Sequence, residues 1–331
     1  FFNDTATTEI YTHVLSSAAS DVYKRQGQET WSGQFDNQKQ GFRQLSKWLK
    51  KRKVKQMHAC MEATGRYGEA LAIYLHQAGF DVSVVNPKVT KHYAQAQMQR
   101  NKTDKLDARM LAEYCRKEQP RLWEPPSEAE MVLRALTRRL TALQKDRTRE
   151  INRLKAGEQP QQVQTSIRQM IAFQDKQIAK LQAEIQDHID QHPELKQQKE
   201  LLTSIPSIGD KSAAVILGEL PDLDNFSSAK QLTAFAGLTP QQLQSGKTLR
   251  QRGLTKMGST HLRTALYMPA LVAKRRNPLL APYAQRLEAA GKSKMTVVGA
   301  VMRKLLHLIY GILKSQKPFD PNYLVNVQNA V

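Results

Sequence analysis

The alternation of strand-like and helix-like patterns between residues 29 and 85 restricts the first part of this chain to a small set of folds. The predicted order is a strand at 29–35, a helix at 38–52, a buried strand within 55–63, a helix near 68–78 and a strand at 81–85. Asn86-Pro87 then ends the last strand. Strands separated by single helices at this spacing predict a parallel α/β unit with right-handed crossovers.

Three acidic residues stand where such a unit would bind a ligand. Glu62 directly follows an apolar strand segment, and ligands bind beyond the carboxyl ends of parallel strands. Asp104 and Asp107 begin a helical pattern, so they share one helix face, with Lys102 and Lys105 beside them. Carboxylates within a basic segment suit a divalent cation that also contacts phosphates. The local pattern leaves one alternative open, in which the two aspartates only cap their helix.

The overall charge indicates a polyanionic partner. The 331 residues carry a net charge of +20, and the isoelectric point is about 9.9. A membrane surface is the competing polyanion, but we see no apolar run near the roughly 20 residues that span a bilayer. The two cysteines, Cys60 and Cys115, lack the spacing of a zinc site or a disulfide framework. We therefore expect a cytoplasmic, nucleoid-associated protein that binds DNA and no membrane.

A long polar helical region follows Pro125-Pro126. It covers about 127–198, and a turn at 157–162 divides it into two antiparallel arms. Apolar residues repeat at heptad spacing in the second arm, at Ile167, Ile171, Ile178, Leu181 and Ile185. The pattern predicts a coiled-coil connector. It fits packing within one chain and pairing between chains equally well, and the second case predicts a homo-oligomer.

The segment 201–214 predicts a helix-hairpin-helix element. An apolar turn ends at Gly209, and a helix of small residues containing Lys211 begins there. Backbone amides at such a helix N-terminus can bind phosphate. Ser207 stands where these hairpins often have a glycine, and a plain helix–turn–helix packing element is the alternative.

The stretch between Asp224 and Glu288 contains no acidic residue and many basic ones, which predicts a surface that faces phosphates. Within it, 240–258 reads as a polar functional loop. Ser245 lies in this loop beside Gly246, and nearby cations could stabilise its attack on a phosphodiester. The alternative is an ordinary turn serine. The basic residues that we expect to contact nucleic acid are Lys247, Arg250, Arg252, Lys256 and Arg263.

The remaining pattern predicts a mainly helical end of the chain. Helices are expected at about 260–275, 278–290 and 294–314. The last is the most apolar, and we expect it to form the domain core because it is too short and too charged to cross a bilayer.

Together these segments resemble the DEDD-type transposases of insertion sequence family 110, from about residue 27 to residue 320. The resemblance rests on the following motifs: Met61-Glu-Ala-Thr-Gly-Arg-Tyr67, Val84-Val-Asn-Pro-Lys88, Asn101-Lys-Thr-Asp-Lys-Leu-Asp-Ala108, Ile205-Pro-Ser-Ile-Gly209, Phe235-Ala-Gly-Leu-Thr-Pro240, Ser245-Gly246, Lys256-Met-Gly258 and Leu262-Arg263. It implies an N-terminal domain like the resolvase RuvC, with an RNase H-like fold, a coiled-coil connector and a C-terminal transposase domain.

The resemblance also implies a chemistry. Mg²⁺ would bind four acids, of which the last three correspond to Glu62, Asp104 and Asp107, and Ser245 would bond covalently to DNA. Some members use a structured guide RNA. The first acid of the family lies on an N-terminal strand of the type Gly-Ile-Asp-Val, and nothing here matches it. We therefore predict that this strand is missing and that the activity of the chain as written is impaired.

These observations predict five segments. They are a non-native segment at 1–26, a RuvC-like α/β domain at 27–125, a helical connector at 126–199, a mainly α-helical transposase domain with a helix-hairpin-helix-like element at 200–316, and a tail at 317–331. The predicted function is a transposase that cuts and rejoins DNA. The competing functions are a non-catalytic nucleic-acid-binding protein and a RuvC-like junction nuclease without covalent attachment.

Overall fold

The computed structural model of the protein describes residues 7–12, 31–63, 68–98, 104–245 and 248–322, with the backbone alone at 7–12, 31–32, 104–105, 242–245 and 248–252. Two compact units divide the chain, Phe1–Pro125 and Pro126–Val331. The described residues are mostly helical and contain few strands.

The first unit alternates strands and helices. Its elements are β1 (Thr7–Thr12), β2 (Trp31–Asp36), α1 (Lys39–Lys51), β3 (His58–Glu62), α2 (Glu69–Gln77), β4 (Asp81–Val85), α3 (Pro87–Ala96) and α4 (Asp104–Glu118). The strand β3 pairs in parallel with β4, from His58 beside Asp81 to Glu62 beside Val85. The predicted strand–helix–strand unit is therefore confirmed.

A small apolar core holds this unit together. One face of α1 buries Phe42, Leu45 and Leu49, at the helical spacing of three and four residues. Burial alternates along β3, as expected for a strand with one face toward the core. The strand β2 pairs with β1 in antiparallel fashion, so the described strands of this unit form two separate pairs. A strand thus occurs within 1–26, the segment that the sequence interpretation set aside.

The second unit contains eight helices and a hairpin among its described residues. They are α5 (Glu128–Lys155), α6 (Gln161–Asp190), α7 (Pro193–Thr203), α8 (Asp210–Glu219), α9 (Ala229–Phe235), β5 (Pro240–Ser245), β6 (Thr248–Leu254), α10 (Thr260–Arg276), α11 (Leu280–Ala289) and α12 (Lys294–Ser315). A short 3-10 turn, Leu223–Asn225, lies between α8 and α9.

The two longest helices, α5 and α6, form an antiparallel pair. Arg147 of α5 forms an ion pair with Asp175 of α6, and His188 bonds the carbonyl of Ala129 near the other end. The predicted turn between two arms is confirmed. The prediction of one helical region up to 198 is wrong in detail, because α6 ends at Asp190 and α7 begins at Pro193. Proline lacks the amide hydrogen that a continuous helix needs, so it starts a new one.

The helix pair shares its core with the helices that follow it. Buried residues of α5 and α6, including Leu133 and Ile189, belong to the same apolar cluster as Leu202, Leu266 and Leu305. The ends of the pair nearest this cluster therefore pack into the core of the second unit, and the coiled-coil connector stays a prediction.

The segment 240–258 was predicted to be a loop, and this prediction is wrong. The strands β5 and β6 pair in antiparallel fashion, from Pro240 beside Leu254 to Ser245 beside Thr248. Polar residues dominate both strands, so the alternation typical of a half-buried strand is missing from the sequence. Pairing between the strands, and Leu254 against Gly299 of α12 at its base, stabilise the hairpin instead.

The helix α12 is the most apolar element of the second unit. By length and composition alone, its 22 residues could cross a membrane, contrary to the expectation that it is too short and too charged. However, one side of the helix packs into the apolar cluster of the second unit, through Val297, Val301, Leu305 and Ile309. Burial of this kind is typical of a core helix, as predicted.

Candidate functional site

Glu62 lies at the carboxyl end of β3, where a parallel sheet presents its ligand-binding side chains. The buried hydroxyl of Thr90 donates a hydrogen bond to Glu62 Oε1 and also bonds the carbonyl of Pro87. Asn86 caps α3 by accepting from the amide of Lys88 at 2.9 Å. The start of α3 therefore orients the Glu62 carboxylate, a role for Thr90 that sequence reasoning missed.

Asp104 and Asp107 lie in the first turn of α4. The Asp107 residue is half-buried, whereas the side chains of Asp104 and Lys105, and the whole of Lys102, lie outside the described residues. Further along the helix, Cys115 Sγ donates to the carbonyl of His58, over 3.7 Å, and holds α4 against the first residue of β3. The strand β1 also lies against α4, and its one acidic residue is Glu9.

A buried polar network fixes the segment that follows α4. Ser83, which is fully buried in β4, donates to the carbonyls of Pro120 and Arg121, at 2.9 and 2.7 Å. His58 Nε2 lies 2.7 Å from the same hydroxyl. Ser83 pairs with Cys60 at the middle of the sheet register, so the chain after α4 runs beside the middle of this strand pair. No motif in the sequence marks this contact.

The cysteines near this network are poor candidates for chemistry. A hydrogen bond with Cys115, together with burial, raises the pKa of the Cys60 thiol above its ordinary value. The thiol therefore stays protonated at neutral pH, and a protonated thiol is neither a nucleophile nor a metal ligand. Among the side chains that the structure describes, no three His, Cys, Asp or Glu residues are placed to share a metal ion. The predicted three-acid cluster includes Asp104, so it stays a prediction.

The predicted helix-hairpin-helix turn lies between α7 and α8. Ile205 and Ile208 are buried, Ser207 has a φ of 126°, and Gly209 immediately precedes α8. The positive φ explains why glycine is common at the position of Ser207.

A carboxylate already occupies the helix end that was predicted to bind phosphate. Asp210 is the first residue of α8 and forms an ion pair with Lys199 at 2.9 Å, which lowers the Asp210 pKa. An acidic group there satisfies the helix dipole and repels a phosphate. Of the two predicted phosphate contacts, Gly209 and Lys211, only Lys211 has a charged side chain, and this side chain is exposed.

The base of the hairpin is a backbone junction between three motif segments. The amide of Ser259 donates to the carbonyl of Phe235 at 2.8 Å, and the amide of Thr255 donates to the carbonyl of Thr239 at 2.9 Å. Arg263 Nη1 donates to the carbonyls of Ala236 and Gly258, at 2.9 and 3.1 Å. The half-buried guanidinium of Arg263 ties together the two chain segments that carry β5 and β6, and its predicted contact with nucleic acid stays a prediction.

Ser245 is the last residue of β5, and Thr248 of β6 lies beside it. Five residue steps separate it from Pro240 at the base, which corresponds to about 17 Å along the strand. Gly246 and Lys247 lie outside the described residues, and Arg250 and Arg252 are described in β6 by their backbone only. Lys256, just after β6, is exposed and has a φ of 51°. The structure therefore holds Ser245 at the outer end of an anchored hairpin.

Replacement of Gly258 by alanine is expected to destabilise the second unit by about 2–4 kcal/mol. A methyl group at this position would lie 2.1 Å from the carbonyl oxygen of Phe235, so the junction would have to open. Gly253→Ala is the matched control, because its methyl group would meet nothing within 4 Å. Thermal unfolding of both variants measures the difference. Equal stability of the two variants would contradict the role assigned to the junction.

Comparisons with known proteins identify the family of this chain. Residues 16–157 match a family described as "Transposase", and residues 199–285 match the "Transposase IS116/IS110/IS902 family". The chain is 36% identical over 296 residues to a "Pilin gene-inverting protein" of Moraxella bovis, which covers 88% of this chain and 91% of that protein. It is 23% identical over 246 residues to the "Transposase for insertion sequence element IS1328" of Yersinia enterocolitica, covering 66% of this chain and 68% of the relative. The chain therefore belongs to the IS110 family of transposases, enzymes that act on DNA.

Proposed function

We propose that this transposase cuts and rejoins DNA through the hydroxyl of Ser245. The observation that carries the proposal is the position of Ser245 at the outer end of a hairpin whose base is held by Arg263 and Gly258. An anchored hairpin presents its end residues to a bulky substrate at little conformational cost. The glycine that follows Ser245 in the sequence permits a close approach of the DNA backbone.

In the proposed step, Ser245 Oγ forms a bond to a DNA phosphorus, and a phosphorus–oxygen bond of the strand breaks. The serine loses a proton, and the departing DNA oxygen gains one and becomes a hydroxyl group. A second strand end with a free hydroxyl then reverses the step and releases the serine. The hairpin sequence contains no His, Asp or Glu, so the group that takes the serine proton must come from elsewhere.

We further propose that Glu62, Asp104 and Asp107 hold Mg²⁺ in a RuvC-like first unit. Two lengths support this proposal. Asp107 precedes Cys115 by eight residues, or about 12 Å of helix, and Glu62 follows His58 by four residues, or about 13 Å of strand. Because Cys115 bonds His58, an α4 that runs opposite to β3 brings the acids to the level of Glu62.

The donor chemistry fits the ion. All three groups are carboxylates, which Mg²⁺ prefers, and the neighbouring Cys60 stays a protonated thiol. When bound, Mg²⁺ would stabilise negative charge on phosphate oxygens. The Thr90 hydroxyl would keep the Glu62 carboxylate in one orientation.

We also propose that a structured guide RNA and further copies of the chain take part, and that the protein works at the nucleoid.

The name of the Moraxella relative suggests the kind of product. Inversion of a gene requires that strands be cut and rejoined within one molecule of DNA, as a covalent serine mechanism permits. We therefore propose an invertible or mobile DNA segment as the substrate. The competing functions are nucleic-acid binding without catalysis and junction cleavage without covalent attachment.

A trapped protein–DNA adduct distinguishes these functions. The chain, alone and with a Gly-Ile-Asp-Val strand added before β2, is incubated with substrate DNA and Mg²⁺ and run on denaturing gels. An adduct that resists denaturation supports the serine mechanism. Cleaved DNA without an adduct would support the junction nuclease, and intact DNA with both chains would support binding alone.

A further inference from the structure

A group of cations without carboxylate partners lies on the outer side of α12. The α12 basic face, as we call it, has four cations, which are Arg303 and Lys304 of α12, Lys230 of α9 and Arg286 of α11. The neutral side chains of His307 and Tyr283 lie among them. Lys304 Nζ lies 5.8 Å from the centre of the Tyr283 ring, and Arg286 Cζ lies 5.5 Å from the same centre. One aromatic ring thus lies between two cations of different helices.

Three of these cations also lower the pKa of one histidine, His307. Burial lowers the pKa of His307, and the charges of Arg303, Lys304 and Lys230 lower it further. The imidazole is therefore neutral at pH 7, and its buried Nε2 has no hydrogen-bond partner among the described residues. The two helices α9 and α12 therefore meet at a locally positive surface that disfavours one more positive charge.

The lack of carboxylate partners distinguishes these cations from several other basic residues of the second unit. Ion pairs between different elements join Lys199 with Asp210, Arg138 with Glu219, Lys274 with Glu288 and Lys314 with Asp224. In the part of the chain that the structure describes, no carboxylate lies within ion-pair distance of Lys230, Arg286, Arg303 or Lys304. The helix α12 contains no acidic residue at all.

We propose that the α12 basic face is a binding surface for the phosphate backbone of duplex DNA, additional to the hairpin that carries Ser245. Cations without carboxylate partners repel one another, and phosphates that approach them relieve this repulsion and release their own counterions. DNA is the partner because the chain belongs to a family that acts on DNA. The apolar side of α12 packs into the core, so this face is the side that remains for a partner.

The contacts expected here are independent of sequence. Lysine and arginine side chains on a helix surface reach phosphate oxygens and set the position of the DNA, whereas base edges are needed for specificity. The α12 basic face would therefore hold DNA near the hairpin without choosing the target. The inference depends on action on DNA but not on the chemistry of Ser245, so it is tested in the Ser245→Ala chain, which cannot form an adduct through this serine.

The test compares two double variants that remove the same net charge. Lys230→Gln with Lys304→Gln removes two lysines of the α12 basic face. Lys274→Gln with Lys314→Gln, the control, removes two lysines that are already paired with carboxylates. The affinity for a labelled DNA duplex is measured by fluorescence anisotropy at a series of salt concentrations. We expect the slope of log affinity against log salt to fall by about 1.8 in the first variant, at about 0.9 per lost contact, and to stay unchanged in the control.

Three results would overturn the inference. The first is an unchanged slope in the first variant, and the second is the same decrease in both variants, which would reflect net charge alone. The third is loss of binding to an RNA hairpin with unchanged binding to duplex DNA, which would assign the face to RNA. Thermal unfolding confirms that each variant folds. Arg303→Gln, measured alone, should lower the slope of log affinity against log salt by about 0.9. This single variant replaces the double variant if the double variant is unstable.

Discussion

Ser245→Ala is expected to abolish the covalent protein–DNA adduct and to lower strand joining by about 10⁴-fold or more, because no other group replaces a lost nucleophile. DNA binding should change by less than about 0.5 kcal/mol, since a single hydroxyl adds little to an interface dominated by phosphate contacts. Adduct formation is measured on denaturing gels and binding by anisotropy, both in the chain with the added first strand. The different responses of the two measurements separate a chemical role from a binding role.

The control for this prediction is an exposed serine elsewhere in the second unit. Ser227 lies before α9, and Ser227→Ala should leave both adduct and binding unchanged. Ser259 is a weaker candidate nucleophile, because its hydroxyl caps α10 by accepting from the amide of Leu262 at 3.1 Å. An adduct that persists in Ser245→Ala and disappears in Ser259→Ala would move the nucleophile to the end of α10.

Glu62→Gln and Asp107→Asn are each expected to lower strand joining by about 10²-fold or more, because a bound cation contributes several kcal/mol to the stabilisation of developing charge. Each variant should also weaken binding of Mg²⁺ or Mn²⁺, measured by isothermal titration calorimetry without DNA. The second measurement is needed because a variant that merely misplaced the DNA would lower activity without changing metal affinity.

Asp81→Asn is the matched control for the acid variants. Asp81 is an exposed carboxylate at the other end of the same strand pair, beside His58. Its loss removes one negative charge from the first unit at a distance from Glu62. If Asp81→Asn weakened metal binding as much as Glu62→Gln does, the proposed metal site at the carboxyl end of β3 would be wrong.

The elements that follow from short-range patterns were predictable from the sequence. The strand β4 occupies the predicted range, and α1, α2, α11 and α12 begin and end within three residues of their predicted limits. The parallel pairing of β3 with β4 followed from the helix between them, because a crossover is required to return the chain in the same direction. The position of Glu62 at a strand end followed as well.

Contacts between distant parts of the chain were not predictable in this way. The hairpin was read as a loop, since its polar strands are held by pairing with each other rather than by burial. The bond of Arg263 to the carbonyl of Ala236 joins residues 27 apart, and no local pattern marks it. Asp210 at the start of α8 was not recognised as the partner of Lys199, and the Thr90 bond to Glu62 joins residues 28 apart.

The sequence by itself determined the family, the candidate catalytic residues and the basic character of the second unit, because these depend on residue identity and on spacings within one turn or one strand. Only the tertiary structure decided which cations are available to a partner. A lysine in the sequence has the same charge whether or not a carboxylate lies beside it. Folding pairs Lys274 with Glu288 and Lys314 with Asp224, and leaves the α12 basic face without carboxylate partners among the described residues. That difference arises from packing between α9, α11 and α12, which no local pattern encodes.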